Sequence, residues 1–307
     1  MVNPSSPAPV VIGVDGEPGS LPAMRYGTAE ARRLGAATRL VHVVPGYLPI
    51  STSMPFTPAE LTEVGDRILR EATATARALA PDLAIESSLR QGSRTLELTR
   101  AAADASLLVV GRTDRSVLER LVTGTTAVSV ASRSAVPTVS VPGSWHDGAI
   151  RTVLVGIRSH HHAEKLLGDA FDLAVTHGAR LRALHAWRLS SEYDDVIASR
   201  TREQEWTERS REEMERLLRP WREIHPDLPV DVEVVHGHAV HALVAASRDA
   251  DLLVIVRRPR DIPALRHLGG TGRAVLQAAE CPVRVVPPEA AAPPGSQLRR
   301  RGALATR

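Results

Sequence analysis

Ala103-Asp104-Ala105-Ser106-Leu107-Leu108-Val109-Val110 and Asp249-Ala250-Asp251-Leu252-Leu253-Val254-Ile255-Val256 are two versions of one phrase. In each, a small acidic turn leads into an unbroken aliphatic run. A half-exposed strand would alternate apolar and polar residues, so a continuous run marks a strand covered on both faces, as in a parallel sheet. Outward from the phrase the likeness continues. Downstream come Gly124-Thr125 and Gly270-Thr271, then Pro-led strands from Val136 to Pro142 and from Cys281 to Pro287. Upstream, Ala8 to Gly13 matches Ile150 to Gly156. A spacing of ~145 residues is too long for a solenoid and suits a duplicated domain. The boundary falls at Pro142-Gly143-Ser144, a linker composition.

Within each half, strand-like and helix-like segments alternate. The first half reads as strands at Val10–Val14, Leu40–Val44, Leu83–Leu89, Ser106–Val110 and Thr138–Val141. Helices fall at Leu21–Leu34, closed by Gly35, and at Pro58–Leu79, Ser93–Ala103 and Thr125–Ser132. The second half repeats the order, with a charged helix at Arg202–Arg219. Apolar strands separated by helices imply βαβ units with right-handed crossovers. The expected fold class is α/β: two tandem, open, parallel five-stranded sheets with helices on both faces. The expected divisions are an N-terminal extension (1–9), a first domain (10–143), a second domain (150–287) and a disordered tail (288–307).

Composition supports this reading. With 307 residues, 43% hydrophobic and 24% charged, the chain can bury two ordinary cores. Aromatics are only 3%, so Val, Leu, Ala and Ile fill them. The lone Cys281 rules out an intrachain disulfide framework and reads as a buried apolar residue. No apolar stretch is long enough to span a membrane, and the Pro/Ser-rich start lacks the pattern of a signal peptide, so a cytoplasmic location is expected. The net charge of +3 is matched by Arg299, Arg300, Arg301 and Arg307 against Glu289 in the tail, which leaves a neutral body. A neutral body argues against a nucleic-acid binder.

In open α/β sheets, ligands sit beyond the carboxyl ends of the strands. Three features of the first half converge there. Asp15 follows the first strand, where a carboxylate can accept hydrogen bonds from a ribose or base. Gly111 follows the fourth strand. Gly124-Thr125-Thr126 opens a helix, whose free N–H groups suit a phosphate.

These features resemble the universal stress protein family, as a tandem pair of its domains across residues 8–287. In that family, ATP-binding members carry a glycine, two residues, a glycine, nine residues, then Gly-Ser/Thr. Here the series runs Gly111, Arg112-Thr113, Asp114, nine residues, Gly124-Thr125. Asp114 replaces the second glycine and sets an acidic side chain against a polyphosphate. The resemblance implies an adenine nucleotide alpha hydrolase-like fold and ATP, with Mg2+ as its counterion, in the first domain. It assigns Asp15, Val43, Val110, Gly111, Gly124, Thr125 and Thr126 to the site, with Val43 of His42-Val43 against adenine. In the second half Arg158 stands for the early Asp, Arg257 and Arg260 for the two glycines, and His185-Ala186 for His-Val. That half is expected to have lost the pocket and to support the fold.

Other constellations carry less. His160-His161-His162 reads as an exposed loop. His236, His238 and His241 approach metal-ligand spacing without an accompanying Cys or carboxylate. Arg202–Arg219 reads as a solvated helix face. No nucleophile elbow or P-loop is present. Three functions compete. One is a regulatory stress protein in which adenine nucleotide biases contacts with an unidentified protein partner. The second is a nucleotide-independent assembly module, its two domains packed together by their last strands, with a homodimer as a further assembly. The third, a weak ATPase, lacks a dedicated set of catalytic residues, so the protein is not expected to be an enzyme.

Overall fold

The structure is a computed structural model that describes residues 7–46, 57–112, 126–158, 163–257 and 268–288. In the first half, β1 (Val10–Gly13), α1 (Ser20–Leu34), β2 (Thr38–Val44), α2 (Pro58–Leu79), β3 (Ile85–Gln91), α3 (Arg94–Ala101), β4 (Leu107–Arg112), α4 (Thr126–Arg133) and β5 (Thr138–Pro142) follow in turn. The second half contains β6 (Thr152–Gly156), α5 (Ala163–His177), β7 (Arg180–Trp187), α6 (Glu192–Thr201), α7 (Glu203–Ile224), β8 (Val230–His236), α8 (Ala239–Ala246), β9 (Leu252–Val256), α9 (Gly270–Ala278) and β10 (Val283–Val286). Gly35 and Gly178 both close a first helix with φ of 61°, a left-handed conformation that glycine adopts without Cβ strain.

The two expected sheets are one. Its strand order is β3-β2-β1-β4-β5-β10-β9-β6-β7-β8. Each half is parallel throughout, and the halves join through antiparallel β5 and β10, with Arg284 opposite Val139. The twin last strands would each be an open edge; pairing them removes both. Strand residues alternate between the two faces. Ile12, Leu40 and Val109 enter a core that continues through Val139 and Val141 to Val153, Val254 and Phe171 of the other half. Val11, Val41, Leu108 and Val110 face the opposite layer.

Polar contacts lock the junction on both faces. On one face Glu30 of α1 lies 3.4 Å from His177 of α5, and Tyr26 packs edge-on to Trp145 of the linker at 5.6 Å. Beside them Arg284 of β10 pairs with Asp169 of α5 at 2.6 and 2.7 Å. On the other face two buried arginines cross in opposite directions. Arg112 donates to the carbonyls of Leu276 (2.5 Å) and Ala279 at the end of α9. Arg257 donates to Ala131 and Ser134, both at 2.9 Å, at the end of α4. The last carbonyls of a helix lack intrahelical partners and carry the negative end of its dipole, so a guanidinium serves them well.

Several sequence expectations shift. β3 starts and ends two residues later than Leu83–Leu89, because pairing with β2 rather than its weak alternation sets the register. The charged helix continues through Pro220 to Ile224, its last turn held by Trp221 stacked on Phe171 at 5.6 Å. It is not only a solvated face: Met214 and Leu218 are buried, and Trp206 stacks on Trp187 at 6.2 Å. Helix α6 was not anticipated, although its start is marked by Ser191, whose hydroxyl accepts from the Asp194 N–H. Cys281 is buried and its thiol is pushed up to about 12 by desolvation, as an inert core residue requires. Among the described residues no helix is long and apolar enough to cross a membrane. The N-terminal residues 1–6 and the tail beyond Pro288 lie outside the described residues.

Arg257→Ala removes two charge-assisted hydrogen bonds and orphans two carbonyls, so we expect a loss of about 2–4 kcal/mol in urea unfolding. Arg257→Lys should recover part of the loss, because both carbonyls are met by the single nitrogen Nη1 and an ammonium also carries several donors on one nitrogen. Burial would raise the Glu30 carboxyl, but His177 and Arg33 outweigh it and hold it below its ordinary value. Its contribution is therefore complete above the unfolded carboxylate range and disappears as pH falls through the lower folded value. The melting-temperature difference between wild type and Glu30→Gln should shrink steadily from pH 5 to pH 3.

Candidate functional site

The antiparallel junction sends the carboxyl ends of the two half-sheets in opposite directions. The first half's ends open into a cleft lined by Gly13, Val14, Asp15, Gly19, Ser20, Val41, His42, Val43, Arg94, Leu98, Val110, Gly111 and Thr126. Five of the seven sequence-selected residues meet there: Asp15, Val43, Val110, Gly111 and Thr126. Gly124 and Thr125 lie outside the described residues, as does Asp114.

The chain builds this cleft from strand ends. Asp15 leaves β1, and its Oδ1 accepts from the Ser20 hydroxyl at 2.5 Å and the Glu17 N–H at 3.0 Å. The Ser20 hydroxyl oxygen in turn accepts from the Asp15 N–H at 3.1 Å. This Asx-type turn shapes the entry to α1 and leaves Oδ2 without a hydrogen bond among the described residues. His42 is not a ligand-facing donor: its Nδ1–H donates to the Val14 carbonyl at 2.8 Å and ties the ends of β1 and β2 together. Its twin His185 does the same to Ile157 at 2.9 Å. Val43 and Val110 are 5% and 3% exposed and supply apolar walls. Thr126 opens α4, whose first N–H groups are free of intrahelical partners.

Gly111 sits tight against the protein's own backbone. A Cβ there would stand 2.4 Å from the Gly19 carbonyl oxygen. The backbone it admits is that of the protein's own β1–α1 loop.

Arg94 was missed by the sequence reading. It opens α3 after the Gly92-Ser93 turn, lines the cleft, and forms no ion pair among the described residues. No local motif announces it; a cation at a helix start reads as surface.

The second half changes nearly every one of these residues, and its register needs correction. β9 pairs with β6 and β10 as β4 pairs with β1 and β5, which makes Val256 the repeat equivalent of Gly111 and Arg257 that of Arg112. Arg257 therefore does not replace a glycine. It is the repeat partner of Arg112 and is spent on the first half's α4. Both halves carry arginine just after the fourth strand, and that was the only sequence sign of the clasp. Arg158 stands for Asp15, Ala186 for Val43 and Ala239 for Arg94. Arg260 and His160–His162 lie outside the described residues.

The later histidines do not converge. His236 Nε2–H donates to Asp195 at 3.0 Å, while His238 accepts from Arg188 at 2.8 Å. Burial would raise the Asp195 carboxyl, but the Leu189 N–H, His236 and Arg188 hold it at about 2. Among the described residues no three His, Cys, Asp or Glu side chains are placed to hold a metal ion.

Fold and cleft together define a tandem α/β protein with one ligand-type crevice in its first half. The model of the universal stress protein family matches residues 8–142 and again 149–287, and the chain belongs to that family. A universal stress protein of Mycolicibacterium smegmatis is 28% identical over 300 residues, covering 94% of this chain and 100% of that one. One from Mycobacterium tuberculosis is 29% identical over 294 residues, covering 93% and 99%. Among solved structures, a universal stress protein of Archaeoglobus fulgidus shares the fold at a TM-score of 0.66 and 17% identity, covering 92% of this chain and 97% of its own.

Gly111→Ala should cost about 1–3 kcal/mol in chemical denaturation, since the clash is with backbone that no rotamer change can relieve. A neutral result would show that the β1–α1 loop shifts freely.

Proposed function

We propose that this is a stress-response regulatory protein whose first half binds an adenine nucleotide, ATP with Mg2+ as counterion, while the second half is structural. The observation that supports it is the gathering of Asp15, Val43, Val110 and Thr126 around one crevice, with Arg94 on its wall. These residues suit the ligand's parts. The free Asp15 oxygen would accept from ribose hydroxyls, the valines would contact the adenine, and the N–H groups at Thr126 would meet phosphate. Arg94 adds a cation for the phosphates that the second half replaces with Ala239. Nucleotide occupancy would then bias contacts with a protein partner. The residues in the cleft bind and orient; none is arranged as a nucleophile and base, which supports a regulatory rather than a catalytic role.

A second reading, an assembly module without nucleotide, is favoured by two specific contacts. Asp15 already has its other oxygen engaged, and Gly111 already has a neighbour in Gly19. The two readings separate cleanly. Nucleotide released from freshly purified protein, identified by mass spectrometry, supports the first. Saturating Mg-ATP at about 100-fold its dissociation constant should stabilise the fold by about 2.7 kcal/mol. Asp15→Ala and Gly124→Asp should abolish that gain. Arg94→Ala should weaken ATP roughly tenfold to a hundredfold and leave adenosine affinity unchanged, as expected for one lost charge-assisted contact. No co-purified nucleotide and no thermal shift would leave the assembly reading standing.

A further inference from the structure

Away from the cleft, the two outer edges of the sheet differ. β3 and β8 are the terminal strands. In a parallel ladder, alternate residues turn their N–H and C=O toward the neighbour and the others outward. The Pro229 carbonyl accepts from Leu181 N–H at 2.9 Å, so Val230 and Val232 face out on β8. Their carbonyls are taken: Arg222 Nη2 donates to Val230 and Arg211 Nη1 to Val232, both at 2.9 Å. Helix α7 thus caps its own edge strand, and Leu218, 0% exposed, fills the space beneath.

On β3 the same positions are open. The Ala84 carbonyl accepts from Thr38 N–H at 2.9 Å, so Ile85, Ser87 and Leu89 face out. Among the described residues nothing donates to the Ile85 or Ser87 carbonyl. Asp66 stands in the repeat position of Arg211 and cannot donate. Thr73 stands in that of Leu218, and its hydroxyl is buried without a hydrogen-bond partner among the described residues. The result is a groove of about 360 Å³ between α2 and β3, lined by Arg70, Thr73, Arg77, Ser87 and Leu89 with Asp66 on its wall. Neither Arg70 nor Arg77 forms an ion pair among the described residues.

We propose that an extended acidic segment of a partner protein adds beside β3 as a further strand, with its carboxylates held by Arg70 and Arg77. A helix alongside an open edge strand is the geometry of strand-addition grooves: main-chain bonds supply affinity and the groove selects side chains. The row of outward main-chain groups calls for a polypeptide rather than a small anion. Two cations against one Asp66 call for an acidic one. The second half shows the same scaffold closed, with Arg211 and Leu218 where the first half has Asp66 and Thr73; Arg77 matches Arg222 in position, but among the described residues it makes no bond to the Ile85 carbonyl.

The test uses the full chain and a fluorescein-labelled peptide of alternating Val and Glu, with alternating Val and Lys as control, followed by anisotropy. The Glu peptide should bind and the Lys peptide should not. Thr73→Leu imports the side chain the second half already accommodates, so folding is kept, and should weaken binding about tenfold or more. Ser87→Pro, which removes one outward N–H, should do the same, and Arg70→Glu with Arg77→Glu should reverse the peptide preference. ATP titrations should be untouched in all three, which separates this site from the cleft. Equal binding of both peptides, or full binding by Thr73→Leu, would overturn the proposal. So would self-association lost in Thr73→Leu, since the edge would then belong to a second copy of the chain.

Discussion

Antiparallel pairing of β5 with β10 is the constraint on which the rest of the molecule depends. A single five-stranded half ends in an exposed last strand, and the duplicated chain supplies that strand's twin. Because the twins pair antiparallel, the backbones of the two halves are related by an approximate two-fold at the junction, while the Arg284–Asp169 and Glu30–His177 contacts occur once only among the described residues. The two sets of strand ends point opposite ways, and one core passes beneath the junction from Ile12 to Phe171. The arginine clasp follows from the same geometry. A buried guanidinium is costly unless its donors are met. Here Arg112 and Arg257 each find carbonyls at a helix end in the other half, where the helix dipole favours positive charge.

This arrangement makes the second half part of the first half's cleft without touching its contents. Helix α4 begins in the cleft at Thr126 and ends on Arg257. Its position is thereby fixed by a residue from the half in which Arg158, Val256 and Ala239 stand for Asp15, Gly111 and Arg94. The second half thus contacts this helix at its far end rather than in the crevice.

The halves have diverged by side chain on a shared backbone. Gly111 against Val256, Arg94 against Ala239, and Thr73 against Leu218 occupy matching places in the sheet and its helices. In each pair a small or polar residue leaves space or charge in the first half, where the second half is filled or neutral. In the first half a crevice lies at the strand ends and another along the outer edge.

The sequence by itself determined the repeat, the order of strands and helices, and the membership of Asp15, Val43, Val110, Gly111 and Thr126 in one neighbourhood. The repeat, the element order and the strand-end places of Asp15 and Gly111 follow from apolar runs and local turn residues, which act over a few positions; Val43 and Val110 came from the family resemblance. It misjudged the partner of Arg257 by one residue, because a one-residue slip is invisible until hydrogen-bonded neighbours fix the register. Packing of the halves by their last strands was among the expectations, and the pairing of β5 with β10 bears it out; the clasp, Arg94 in the cleft wall and the open edge at β3 were decided only by tertiary structure. Each depends on groups far apart along the chain that meet only when the halves fold together, so no local pattern could carry the information.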